Sequence, residues 1–138
     1  MILLPIFLLL LLNTSPLFAA PTQYDITAAY QEEEHRIYGT EKVTFVNDSA
    51  APLSEIYLFL YPNLYLEKDP DVDKALYKRA YPVDFNPGEL QITSIQDAEG
   101  NALPYFPDFF KKRILMKIPL PAPIPPHASF EFLVHFVT

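Results

Sequence analysis

Cysteine is absent from the 138 residues, so no disulfide braces this chain and no thiol can act as nucleophile or metal ligand. Tryptophan is absent too, and glycine occurs only 3 times against 15 prolines. That much proline works against long helices and favours short strands between proline turns. Basic side chains are scarce: 10 Lys and Arg stand against 17 Asp and Glu, a net charge of −7. The balance disfavours a sequence-independent grip on nucleic acid, which needs cations against phosphate. It equally disfavours adhesion to an anionic bilayer. No His-Glu-x-x-His and no Gly-x-Ser-x-Gly occurs anywhere, and His35, His127 and His135 share no metal-ligand spacing. No residue is nominated as catalytic, cofactor-binding or metal-binding.

Charge is also missing from residues 1–19. Ile2 to Leu12 is apolar, interrupted only at Pro5, and Asn13-Thr14-Ser15-Pro16 leads to small residues at Ala19 and Ala20. An apolar stretch of about 7–15 residues before a small-residue site has the form of a secretory signal. A membrane span would need about 20 apolar residues. Cleavage after Ala19 puts Leu17 and Ala19 in the recognition positions, whereas cleavage after Ala20 would leave Pro21 first. Residues 1–19 are therefore expected to be a signal peptide, with an uncleaved anchor as the alternative. Residues 20–138 are expected to be one exported domain, periplasmic or extracellular. With 50% hydrophobic residues the chain is too apolar to be disordered, and a domain of this size can bury roughly two-thirds of its unfolded surface.

The remaining pattern is β. Tyr24 to Gln31 alternates Tyr24, Ile26, Ala28 and Tyr30 on one face, the period of a half-buried strand. Glu32-Glu33-Glu34-His35 makes a polar corner. Arg36 to Asn47 resumes with Val43 and Phe45 on one side, and Gly39 inside it predicts a bulge or a close backbone approach. Asn47 to Pro52 is a turn cluster. Ser54 to Tyr61 is apolar on both faces, which predicts cover on both sides. Asp69-Pro70, followed by Val72, Ala75, Leu76 and Ala80 at helical spacing, predicts a short amphipathic helix over about 70–80. Glu89 to Asp97, Ala102 to Phe106 and Arg113 to Ile118 follow as strands, with a turn at Asp97–Asn101. Pro119 to Pro126 carries prolines at 119, 121, 123, 125 and 126, which predicts an extended connector outside any ladder. Ser129 to Val137 alternates most cleanly, with Phe130, Phe132, Val134 and Phe136 inward and Glu131 and His135 outward. The fold class is all-β: an antiparallel sandwich or curved double sheet of about seven strands, with a short helical excursion near 70–80.

Two clusters imitate metal sites. Glu32, Glu33 and Glu34 alternate faces on an extended chain and cannot converge on one ion, so they predict a solvated corner. Asp69, Asp71 and Asp73 imitate the opening of a calcium loop, but Lys74 and Ala80 stand where that loop needs Gly and a bidentate Glu. A helix first turn accounts for these aspartates. Tyr57, Tyr61, Tyr65, Tyr77 and Tyr81 either line the half-wet face of a sheet or offer rings to a glycan or protein partner. Asn47-Asp48-Ser49 matches a glycosylation sequon.

Several pieces recur in a familiar order. They are Tyr24-x-Ile26, then Gly39-x-x-x-Val43-x-Phe45-x-Asn47, then Leu53-x-x-Ile56-x-Leu58-x-Leu60 ending in Tyr61-Pro62-Asn63. Gly88-x-Leu90-x-Ile92-x-x-Ile95, the Asp97–Gly100 turn and a proline-bounded corner complete the set. Over residues 23–137 this order resembles the N-terminal β-domain of the aminopeptidase N family of zinc metallopeptidases. The resemblance implies an antiparallel β-domain that packs on a thermolysin-like zinc domain. That domain would carry His-Glu-x-x-His, a distant Glu ligand and a Gly-x-Met-x-Asn strand, none of which is in this sequence. Zinc is thus expected only in a catalytic domain outside this chain, and peptide contacts only in the full-length protein. The family often has Pro-Gly where this chain has Pro126-His127, so the turn before the last strand is expected to differ. The chain is expected to be a non-catalytic scaffold domain, a fragment or truncated product of an exported zinc aminopeptidase-like protein, and no enzyme by itself. The alternatives are a stand-alone exported β-sandwich that binds a glycan or an envelope protein, and an assembly or adhesion module that pairs through an open sheet edge.

Overall fold

The computed structural model describes residues 21–68, 72–107 and 114–138. The expected signal peptide, the Asp69-Pro70 helix start, Asp71 and Arg113 lie outside the described residues. The strands are β1 (Gln23–Gln31), β2 (Arg36–Val46), β3 (Leu53–Phe59), β4 (Gln91–Asp97), β5 (Phe106–Pro107), β6 (Leu115–Ile124) and β7 (Ser129–Val137). They form two antiparallel sheets, a four-stranded one in the order β1-β2-β7-β4 and a three-stranded one in the order β3-β6-β5. The protein is all-β, built as a double sheet.

Register decides which side chains share the core. Val43 lies opposite Phe132, and Val134 opposite Glu41 and Ile95. The inward set of β7 is therefore the one its alternation predicts, and Phe132 and Val134 are fully buried. From the smaller sheet Ile56 and Ile118, which are Cα partners, close the core from the other side. Each such side chain contributes about 1.5–3 kcal/mol when fully removed from water.

Gly39 marks a close approach: it sits between Ala28 and Phe136 in the same row. A Cβ there would fall inside the Phe136 ring atoms Cζ, Cε1 and Cε2. The ring lies across the bare backbone, so the glycine leaves no gap.

Four expectations fail, each for a physical reason. First, β1 is exposed along its whole length rather than half-buried. Tyr24, Ile26 and Tyr30 do point to the inner face, because their register partners are Val43, Glu41 and Ile37. The smaller sheet does not extend over them, and Ile26 stays 58% exposed. Second, β3 is covered on one face only: Ile56 and Leu60 are buried, whereas Tyr57, Phe59 and Tyr61 are exposed.

Third, the proline run is part of a strand, since β6 continues through Pro119, Pro121 and Pro123 to Ile124. β5 pairs with β6 only at Lys117 and Met116, and the β3 register slips between Leu53 and Glu55. These prolines fall where an absent N–H meets an open edge or a bulge, the two places a sheet tolerates it. The short helical excursion expected near 70–80 is present, as a 3₁₀ turn, Lys74–Leu76, followed by one α-helical turn (α1, Tyr77–Ala80). Its cap is Asp73, whose carboxylate accepts from the Ala75 N–H at 2.9 Å. Its apolar stripe is not buried, and Leu76 is exposed. Fourth, the predicted Ala102–Phe106 strand is reduced to a bridge between Gln96 and Ala102 and the two residues of β5, since Pro104 and Pro107 have no N–H to give a ladder.

Glu41 faces inward beside Ile26 and Val134, and partial burial pushes its carboxyl above the ordinary range. A raised acid binds its proton more tightly when folded, so its charge costs stability at neutral pH, and the cost disappears as pH falls through the folded value. Glu41→Gln is expected to raise the unfolding midpoint at pH 7. The gain should shrink steadily on acidification, as read from thermal melts between pH 7 and 4.

Candidate functional site

The histidines are scattered. His35 closes the β1–β2 turn with φ 53°, His127 sits in the β6–β7 turn with φ 60°, and His135 lies mid-strand in β7. His35 meets the Tyr30 hydroxyl at 3.0 Å, and His135 meets the Thr40 hydroxyl at 3.1 Å. His127 takes the left-handed conformation that glycine favours.

The Glu32–His35 corner is exposed, and the Tyr38 hydroxyl donates to Glu34 at 2.5 Å. That hydrogen bond holds the Tyr38 phenol above its ordinary value. Asp73 is used as a cap, while Asp69 and Asp71 lie outside the described residues. Among the described residues, no group of three or more His, Asp or Glu side chains could hold a metal.

The sequon residue Asn47 is fully buried and serves as a bracket. Its Nδ2 donates to the carbonyls of Ala51 (2.9 Å), Ile124 (2.9 Å) and Pro125 (3.1 Å). Its Oδ1 accepts from the Ser49 N–H at 3.0 Å and the Ser49 hydroxyl at 2.7 Å. An amide so engaged has no room for a glycan in the folded chain. Asn63 acts similarly, its Oδ1 accepting from the Leu90 N–H at 2.7 Å and so joining the two ends of the 63–88 excursion. Beside it, Leu60, Asn63, Leu90, Ile92, Pro107 and Met116 line an open hollow of about 340 Å³. Among the described residues, Glu89 is the one ionisable side chain on its wall.

The surface with a distinct chemical character is the outer face of the three-stranded sheet. Register sets Tyr57, Lys117 and Phe106 in one row across β3, β6 and β5. Phe59 lies two residues along the same face and stacks on Tyr61, with centroids 5.8 Å apart and planes 18° apart. Phe59 is 57% and Tyr61 64% exposed, and Leu64 and Tyr65 in the following 3₁₀ turn (Tyr61–Tyr65) are exposed beside them.

One polar cluster interrupts the patch. The Tyr57 hydroxyl donates to Glu55 at 2.6 Å, and Lys117 Nζ lies 2.9 Å from the same carboxylate. The tyrosine and then the lysine hold the Glu55 carboxyl below its ordinary value, and Glu55 holds Lys117 above its own. An aromatic field with a paired charge inside it suits a protein partner or a ring-bearing ligand.

Of the tyrosines singled out in the sequence, Tyr57 and Tyr61 belong to this surface, with Tyr65 exposed in the 3₁₀ turn that follows. Tyr77 and Tyr81 do not: Tyr81 packs edge-on against both Tyr77 and Phe85. Phe106 escaped the sequence reading, because its place beside Tyr57 depends on two strand pairings through Lys117. No family model and no curated protein matches the chain.

Proposed function

We propose that the chain is a non-catalytic scaffold domain of an exported zinc aminopeptidase-like protein, seated against a catalytic domain through the outer face of the β3-β6-β5 sheet. The supporting observation is β3 itself. Its sequence is apolar on both faces, as in a strand covered on both sides, yet Tyr57, Phe59 and Tyr61 are uncovered. Exposed aromatic rings grouped around a paired charge are characteristic of an interaction surface. The ordered strand signatures between Tyr24 and Ile95 supply the partner's chemical class. The domain's work is mechanical: it buries one face on the catalytic domain and helps to wall the peptide cleft.

The purified chain is expected to hydrolyse no aminoacyl substrate with or without added zinc, and to bind an apolar dye. Replacing Tyr57, Phe59 and Tyr61 together with Ser should lower the dye signal and leave the part due to Tyr24, Ile26 and Tyr30 on β1. It should change folding stability by no more than about 0.5 kcal/mol per site, because the side chains are exposed. Zinc-dependent hydrolysis by the chain alone, or dye binding unchanged in the triple variant, would contradict the proposal.

The near-parallel Phe59 and Tyr61 rings favour one second reading, a stand-alone exported module that stacks on sugar rings. It predicts saturable binding of an oligosaccharide that is lost in Tyr61→Ser. A scaffold domain predicts none.

A further inference from the structure

The two sheets expose four edge strands: β1 and β4 in the larger, β3 and β5 in the smaller. Three of them are blunted. β5 is two residues long and contains Pro107. β4 breaks register between Ile92 and Ser94, and β3 between Leu53 and Glu55. Short strands, prolines and bulges are the usual protection against edge-to-edge pairing.

β1 has none of these. It pairs with β2 residue for residue over all 9 of its positions, with no bulge. It contains no Pro, Gly or Lys, and its one charged residue is Asp25. Among the described residues, no strand lies on its other edge.

We propose that this edge is a homodimerisation site, at which a second copy of the chain adds its own β1 antiparallel about a two-fold axis at Thr27. The strand's sequence picks out a copy of itself as occupant. Gln23-Tyr24-Asp25-Ile26-Thr27-Ala28-Ala29-Tyr30-Gln31 begins Gln-Tyr, ends Tyr-Gln and has Thr27 at its centre. About a two-fold axis each residue meets its mirror position on the partner, so this near-palindrome sets Tyr against Tyr, an aromatic cross-strand pair, and Gln against Gln, and opposes no like charges.

In that register Tyr24 lies opposite the partner's Tyr30, and Ile26 opposite the partner's Ala28. All of them are on the inner face that the smaller sheet leaves uncovered, so two exposed apolar ledges become one strip. Charge is compatible as well. Asp25 meets the partner's Ala29, and the two aspartates stand about 13 Å apart along the strands at roughly 3.3 Å per residue. The acidic Glu32–Glu34 corners fall at opposite ends of the pairing. The surface belongs to the four-stranded sheet, not to the β3-β6-β5 face. Dimerisation and docking on a catalytic domain can therefore fail independently.

Sedimentation equilibrium of the full chain over a range of concentrations tests this. The expected result is a reversible monomer–dimer equilibrium. Thr27→Lys sets two ammonium groups face to face on the axis and should weaken the dimer by about tenfold or more, since like charges directly opposite are destabilising. Ala29→Lys sets a lysine opposite the partner's Asp25 twice over and should tighten it by about threefold at low salt, a gain that fades as salt screens it. Both positions are exposed, and an unchanged far-ultraviolet spectrum confirms that each variant folds.

A chain that stays monomeric at every concentration overturns the proposal and leaves the edge to a strand from a different protein. So does a dimer whose dissociation constant neither lysine moves. If Thr27→Lys fails to fold, the sign of the Ala29→Lys effect still decides.

Discussion

Asn47→Ala lowers the unfolding midpoint by roughly 10 °C or more, a loss on the scale of truncating a buried core side chain. The fully buried amide closes five hydrogen bonds, to Ala51, Ile124, Pro125 and twice to Ser49. Its backbone adds two more, donating to Ala128 at 3.0 Å and accepting from His127 at 2.8 Å. It thus ties the end of β2 to the β6–β7 turn, joining the two sheets at one corner. Alanine keeps the backbone bonds but leaves carbonyls pointing at a void, at about 1–3 kcal/mol for each group left unsatisfied and buried. Some of these carbonyls reach water, so a total near 3 kcal/mol is expected.

Asn47→Asp distinguishes hydrogen bonding from packing. It preserves shape and turns one donor into a carboxylate facing carbonyl oxygens. Buried without a counter-charge, that acid is expected to titrate above its ordinary range. Its penalty should therefore be greatest at neutral pH and ease as pH falls. Chemical denaturation of both variants at pH 7 and pH 5 checks this. If Asn47→Asp were as stable as the parent at pH 7, the bracket would be no anchor.

Gly39→Val is the second large effect. The new side chain meets the Phe136 ring at once, because even a Cβ overlaps it. Overpacking a filled site costs about 1–3 kcal/mol. The ring is only partly buried and its far side has room to give, so a value near 2 kcal/mol is expected.

Cause and partner can be separated by a cycle. Phe136→Ala alone removes ring packing; combined with Gly39→Val it should cost clearly less than the sum of the two, with a coupling of about 1 kcal/mol or more. Additive losses would mean that the glycine is needed for its backbone and not for the ring. Its φ is not in the left-handed region, where only Gly100 lies among the glycines, at 85°. Close approach is therefore the operative constraint.

The strands themselves were legible wherever alternation reflects a single covering layer. The inward Phe132 and Val134 of β7 could be read directly, and so could the close approach at Gly39, since a glycine inside a strand has few other uses. The Asp97–Asn101 turn was equally clear, and Asp97 does receive the Glu99 and Asn101 N–H groups at 3.1 and 2.8 Å.

What failed depended on the neighbouring layer. The alternation in β1 predicts a buried face, but burial there needs a second sheet wide enough to reach it, and three strands are not. The two-sided apolarity of β3 correctly describes the strand's chemistry and misses that no described residue covers one side. The proline rule failed for β6 because it applies to paired edges, and which edge is paired is a property of the sheet order. Asn47 looked like turn vocabulary or a glycan acceptor. Its partners Ile124 and Pro125 are far along the chain, beyond the reach of any local pattern.

The central claim is that this domain serves a zinc peptidase by lending it a docking face. The most direct test takes the native protein from its source with an antibody raised against residues 21–138. Its intact mass, zinc content and release of N-terminal amino acids from peptides are then measured, together with the solvent labelling of Tyr57 and Tyr61. The account predicts that these residues travel in a zinc-containing, peptide-cleaving species in which both tyrosines are protected. A zinc-free species of this chain alone, inactive and with both tyrosines freely labelled, would contradict it.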